Sequence, residues 1–293
     1  YLPAATVLDI EDEMFARSNY LERNQTPIPL YTEWLIKHRD KKISDQELMN
    51  FRDQLAATDT REESLIYFYQ KGFNQHQDIA FTGGGKSYAF RSSASYDKNR
   101  SFLKGDTYTR WNANMQGTIH WGEKFKIMPS IWYTQQFNVQ NGIGFSSFTG
   151  GGNSVAPYYR FQDENGQSLP IVKGLRYGYQ ESAPGLGLLD WMYRPLDERS
   201  LNDNRSSDQE LRMQMGLSYE FSKLIRWEVF YQYLNNQNGQ STLYDKDSYY
   251  ARDLVNKFTQ ADMTKVIPYG AIRREAGRAG ARTHSIRTQQ TGE

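Results

Sequence analysis

The sequence predicts a mainly β protein: antiparallel, up-and-down strands forming a segment of a transmembrane β-barrel, preceded by a helical region. Three observations predict this. Apolar and polar residues alternate strictly in several runs. The composition is polar overall yet rich in aromatics. The links between the runs are tight at one end and long at the other.

Composition narrows the class first. Hydrophobic residues make up only 38% of the chain, but aromatics reach 14%, with 21 Tyr. A disordered chain has few aromatics, and a water-soluble globule carries more Leu, Ile and Val. Strands with one face toward lipid and the other toward water give this mixture. No apolar run approaches the ~18 residues of a transmembrane helix. A net charge of +1 offers no whole-chain attraction for nucleic acid. The absence of cysteine removes disulfides, thiolate zinc sites and thiol catalysis together. The opening YLPAATVLDIEDEM has neither a basic start nor a long apolar stretch, so the chain is either not exported by such a signal or does not start at the natural N-terminus.

Residues 8–70 read as helical, with Leu48, Phe51 and Leu55 at helical spacing. Ser44 with Glu47, and Thr60 with Glu63, each fit a capping box, in which hydroxyl and carboxylate satisfy free N–H groups of the first turn. Gly72 reads as the helical stop. After it the period becomes two. In QELRMQMGLSYEF, Leu211, Met213, Met215, Leu217, Tyr219 and Phe221 fall on one face, with Arg212, Gln214 and Glu220 on the other. In WNANMQGTIHW, Trp111, Ala113, Met115, Ile119 and Trp121 alternate with Asn112, Asn114, Gln116 and His120. Residues 225–233 set Ile225, Trp227, Val229, Tyr231 and Tyr233 against Arg226, Glu228 and Gln232. Weaker alternation runs near 76–83, 87–97 and 126–138.

Two features point to lipid on the apolar side. Trp111 and Trp121 lie ten residues apart. At ~3.3 Å per residue and a tilt of about 40°, they bracket a height of roughly 25 Å, that of the apolar band of outer-membrane barrels. The links GGGK (83–86), WGEKF (121–125) and FSKLI (221–225) are tight, whereas those around 97–110, 139–208 and 235–282 are long. The lipid-facing set is therefore Trp111, Met115, Ile119, Trp121, Leu211, Met213, Met215, Leu217, Tyr219, Ile225, Trp227, Val229 and Tyr231.

Other chemistries fail on spacing. FTGGGKSYAF suggests a phosphate loop, but the first glycine would stand at position 80, which is Ala, and an alternating run follows Lys86 where a helix is needed. Its glycines read as hairpin residues supplying positive φ. Gly142-Ile-Gly144 lacks the third glycine of a dinucleotide site, since position 147 is Ser. His38, His76, His120 and His284 lack metal spacing. Asp245-Lys-Asp247 lacks the glycine and distal glutamate of a calcium loop. No cofactor and no metal is expected, and the chain does not read as an enzyme.

The segment 139–208 is longer than a structureless loop should be. It contains APYYRFQDENGQSLPIV (156–172), with Asn-Gly at a turn, and LLDWMYRPLDE (188–198). LYDKDSYYARDLVNKFTQ (243–260) and IPYGAI (267–272) follow. Upstream stand KGFNQHQDIAFTGGG (71–85) and SYDKNR (95–100). In this serial order the motifs resemble SusC/RagA-type TonB-dependent outer-membrane transporters over nearly the whole chain.

The resemblance implies about seven or eight strands of a roughly 22-stranded barrel, in the region just after the plug. Residues 1–72 would be a helical extracellular loop region and 73–293 a partial barrel with long extracellular loops at 139–208 and 235–282. It further implies an importer of oligosaccharides or peptides in the outer membrane of Bacteroidetes-type bacteria. Its partners would be a SusD-like surface lipoprotein, outer-membrane lipid and TonB, the last through an N-terminal part not seen in this sequence; no nucleic acid is involved. Trp191, Tyr193, Tyr158, Tyr159, Tyr249 and Tyr250 lie in the long loops and are the candidates for substrate contact. After residue 275 the small, basic, polar tail departs from the pattern and reads as a truncation or shifted frame, although 284–289 can begin a further strand. Two alternatives share the alternation: a soluble Tyr-rich β-sandwich carbohydrate-binding module, and a hydrolase with a helical cap. Both need the apolar faces packed on a second sheet, and the hydrolase needs paired carboxylates in a cleft.

Overall fold

The computed structural model describes residues 2–148, 155–259 and 281–292, the last of these by backbone alone. The IPYGAI stretch and the start of the tail lie outside the described residues. The chain forms two compact units. One comprises 1–70, 141–203 and 243–282, and the other 71–140, 204–242 and 283–293.

In the first unit, α1 (Ala4–Ala16), α2 (Leu30–Arg39), α3 (Asp45–Ala56) and α4 (Thr60–Phe68) precede the loop segments. The Ser44 capping box forms: the Ser44 Oγ accepts from the Glu47 N–H, and the Glu47 carboxylate accepts from the Ser44 N–H. The second expected box does not. Asp59 caps α4, accepting from the Arg61 N–H at 2.8 Å. Thr60 is fully buried and is used elsewhere. Its hydroxyl donates to the Ala156 carbonyl at 2.8 Å and accepts from the Tyr159 N–H at 2.6 Å, and its own N–H donates to the Pro157 carbonyl at 2.9 Å. The first turn of α4 thus recruits a distant loop instead of closing on itself. Gly72 is not the helical stop either; α4 ends at Phe68, with Tyr69 already extended.

That recruitment builds the core. Leu8, Tyr31, Leu35 and Leu55 pack around Tyr158, while Phe68, Phe148, Phe161, Ile171 and Tyr193 surround Tyr159. The DENGQ turn hangs on Asp163, whose carboxylate accepts from the N–H groups of Asn165 and Gln167. Only Gly166 of that turn takes a positive φ, 81°. Two short helices, α5 (Tyr177–Ser182) and α6 (Pro195–Leu201), and the helix α7 (Tyr249–Lys257) complete the unit.

The second unit is one open, up-and-down sheet. Its strands are β1 (Phe73–Gly84), β2 (Tyr88–Arg100), β3 (Asp106–Trp121), β4 (Phe125–Gln140), β5 (Asn202–Ser222), β6 (Ile225–Tyr244) and β7 (Ala281–Gly292), hydrogen-bonded in sequence order. Pairing from β1 through β5 is antiparallel, with Ile79 opposite Ala94, Ala94 opposite Ala113, Ala113 opposite Tyr133 and Tyr133 opposite Leu211. The strands extend past the alternating runs. β2 and β3 reach Arg100 and Asp106, so the link expected around 97–110 shrinks to 101–105. β6 likewise runs on to Tyr244 through the polar NNQNGQST stretch. Backbone pairing continues where neither face has an apolar layer to bury, so the hydropathy pattern falls silent before the ladder ends.

The turn at FTGGGK corrects one detail of the sequence reading. None of Gly83, Gly84 and Gly85 has a positive φ. They serve close approach instead. A Cβ on Gly83 would sit 2.7 Å from the Phe90 ring, and one on Gly84 would sit 2.8 Å from the Tyr88 carbonyl oxygen. The Gly85 N–H closes the turn on that carbonyl at 2.8 Å. Replacing Gly83 with Ala forces the Phe90 ring aside and is expected to cost on the order of 1 kcal/mol by overpacking. Equilibrium unfolding of Gly83→Ala measures it. Gly83→Ala costing as much in a Phe90→Ala background as in wild type would show the clash is not the cause.

Candidate functional site

The most distinctive surface is one face of the sheet. Register places Ile79 and Phe81 (β1), Tyr88, Phe90 and Tyr96 (β2), Trp111, Met115, Ile119 and Trp121 (β3), Ile127, Ile131 and Tyr133 (β4) and Leu211, Met213, Met215, Leu217 and Tyr219 (β5) on the same side. On β6, Gln214 bonds Gln232 and Ser218 bonds Glu228, which puts Ile225, Trp227, Val229 and Tyr231 on this face too. These side chains are not packed away. Trp121 is 74% exposed and Met115 52%, and Ile119, Met213, Met215, Ile225, Trp227, Val229 and Tyr231 are exposed as well. Leu211, Leu217 and Tyr219 are half-buried among their neighbours.

Aromatic residues border this band. At the tight-turn end, Trp121, Phe125 and Tyr219 lie on successive strands with ring centroids 6.5 and 6.4 Å apart. At the other end, Tyr96 and Trp111 pack at 4.3 Å. Between the two rows the face carries no charged residue on β1 to β6; Lys98 and Arg205 stand just beyond it. An uncharged apolar patch of this extent is far larger than single exposed hydrophobics on an ordinary surface.

The opposite face is mainly polar and cross-linked, interrupted by Met128, Trp132 and the exposed Phe230. Asp97 accepts from Arg110 Nε at 2.9 Å, and its other oxygen lies 2.6 Å from His76 Nδ1. Asn112 donates to Ser95 and accepts from Thr134, Asn114 donates to Ser93, and Gln136 donates to Asp208 at 2.7 Å. His120 is exposed on this face opposite Lys126. Such ladders satisfy polar side chains strand by strand and leave the surface hydrated.

The loop aromatics are distributed differently from the strand set. Tyr158, Tyr159, Trp191 and Tyr193 are buried in the cores of the first unit, Tyr249 is half-buried and Tyr250 is exposed. All six have packing partners, Tyr250 by stacking on Tyr244 with ring centroids 4.2 Å apart. Tyr158 donates to Glu11 at 2.7 Å, Trp191 donates its indole N–H to Asp253 at 2.9 Å, and Tyr193 and Tyr249 meet edge to face. The Lys173 ammonium sits 3.8 Å from the Tyr193 ring centre, and burial holds it below its usual range. Burial raises the nearby Glu198 carboxyl, which accepts from the Tyr249 N–H.

Two stretches singled out in the sequence dock on each other here. Arg252 of α7 donates to the carbonyls of Asp190 and Met192. Asn256, one turn on, pairs with both the N–H and the carbonyl of Leu189 at 2.9 Å each. The LLDWMY backbone is thereby clamped by a helix from the next loop, which no local pattern announces.

Among the described residues no group of three His, Asp or Glu side chains is placed to hold a metal ion. No helix of the described residues is long and apolar enough to cross a membrane. The apolar-face residues of β1, β2 and β4 were signalled only by weak alternation, because Gly, Ser and Ala interrupt it in β1 and β2, and Met128 and Trp132 on the other face blur it in β4. The chain matches no protein-family model, and no curated protein matches it.

Proposed function

We propose that the chain is a section of the wall and loops of an outer-membrane importer of the SusC/RagA type. The observation that carries this reading is the uncharged apolar face of a single-layer sheet, bordered by aromatic rows and backed by a hydrated polar face. Lipid against the first and an aqueous lumen behind the second is the partition such a surface suits. The sheet is open, with β1 and β7 at its edges. Bare strand edges are intolerable in hydrocarbon, so in this reading they pair with further strands, from the rest of the wall or from other copies of the chain. The serial motifs of the long loops support the family assignment, and the docking of 243–258 on 188–194 gives those motifs a shared structural purpose. Import of oligosaccharides or peptides, a SusD-like lipoprotein lid and TonB energisation belong to the same proposal.

The test is insertion. Full-length chain reconstituted with vesicles whose acyl chains carry bromine is expected to show strong quenching of tryptophan fluorescence. Changing Trp111, Trp121 and Trp227 together to Phe should remove most of it. A chain that fractionates as soluble and remains unquenched would sink the membrane reading.

A further inference from the structure

The apolar face is not an even ridge of side chains. Near its middle lies a trough of about 670 Å³. Its walls are aromatic: Tyr88 and Phe90 from β2 on one side, Tyr231 and Tyr233 from β6 on the other. Its floor is low because Gly117 has no side chain and Pro129 lies next to it, with Pro129 Cγ 3.8 Å from where a Gly117 Cβ would stand. A proline inside a sheet is unusual, since it has no N–H for the ladder. Here the β3–β4 register is kept on either side, at Gln116–Ser130 and Ile119–Ile127. Met115, Met213 and Met215 line the remainder, and unbranched thioethers adapt to an irregular occupant.

We propose that this trough seats one acyl chain of an anionic phospholipid, with Lys86 pairing its phosphate. The proposal rests on the membrane reading above and adds a specific lipid site to it. Three features favour a lipid chain over a protein segment. The walls stand on β2 and β6 and the floor on the strands between them, so the trough can follow an extended chain. Its lining offers almost no hydrogen-bonding group, whereas a docking strand or loop needs partners for its backbone. And it starts at Tyr88, two residues after the exposed Lys86 of the tight turn, which joins no salt bridge among the described residues. An exposed lysine in the turn that leads into one wall of an apolar trough matches a phosphodiester headgroup on an acyl tail.

Native mass spectrometry on the full-length chain in detergent, given phosphatidylglycerol and then washed, reads the site directly. Wild type is expected to retain one phosphatidylglycerol per chain. Gly117→Leu, which fills the floor, and Lys86→Glu, which reverses the charge in an exposed turn, should each lower the retained fraction at least fivefold. Lys86→Glu should leave retention of phosphatidylcholine unchanged. Bromolipid quenching on the same samples separates the two ideas. If all three proteins insert and retain phosphatidylglycerol equally, the lipid seat is wrong and the membrane reading stands. If wild type does not insert, both fall.

Discussion

On the proposed membrane reading, Met115→Arg is expected to destabilise the sheet in lipid by about 2–4 kcal/mol, the cost of a guanidinium at the hydrocarbon midplane of a barrel strand. Met115 lies about midway between the aromatic rows and is 52% exposed on the uncharged face. Thr118→Arg, three residues along the same strand, places the same charge on the opposite, polar face. Thr118 is half-buried there, but a long charged side chain on that face can carry its head into water, so the change is expected to cost less than about 1 kcal/mol. Denaturant unfolding of both variants in lipid vesicles makes the comparison. Equal losses at the two positions would mean that the face of Met115 meets no hydrocarbon, since propensity and strand position are otherwise shared.

The first unit should lose about 3 kcal/mol of stability between about pH 4.5 and pH 8, and Glu11 is the cause. The Glu11 side chain is buried between α1 and α2, and burial pushes its carboxyl up from 4.5 to about 7, against the lowering effect of hydrogen bonds from Tyr158 and Thr32; the neighbouring Asp12 charge raises it further. In the unfolded chain the same group has its ordinary value. Between about 4.5 and 7 the folded state therefore keeps a proton that the unfolded state has released, and stability falls as pH rises through that window. Above it both states are ionised and the loss is complete. Glu11→Gln keeps an acceptor for Tyr158 and removes the titration. Its unfolding free energy, followed from pH 4.5 to 8, should lack the fall that wild type shows. A wild-type-minus-variant difference that stays flat across this range would rule Glu11 out as the source.

What was legible before the structure follows from range. Alternation is a property of neighbouring residues, so QELRMQMGLSYEF and WNANMQGTIHW announced their strands and the face each residue takes. The tight turns at 83–86, 121–125 and 221–225 were legible for the same reason. The Ser44 cap was also legible, because its donor and acceptor lie three residues apart. Thr60 was misread because its partners, Ala156 and Tyr159, lie nearly a hundred residues away. FTGGGK was placed correctly as a turn, but its glycines answer to the Phe90 ring and the Tyr88 carbonyl across the hairpin, not to a φ that position alone could reveal.

The sequence by itself determined that this chain builds two-faced strands, and which residues share each face, because a period of two follows from backbone geometry. Only the tertiary structure decided that Tyr158, Tyr159, Trp191 and Tyr193 are core residues and not surface ones, that 188–194 is clamped by Arg252 and Asn256, and that a trough opens over Gly117 and Pro129. Each depends on side chains brought together from distant segments, and burial is set by what packs against a residue, which its neighbours in the chain do not encode.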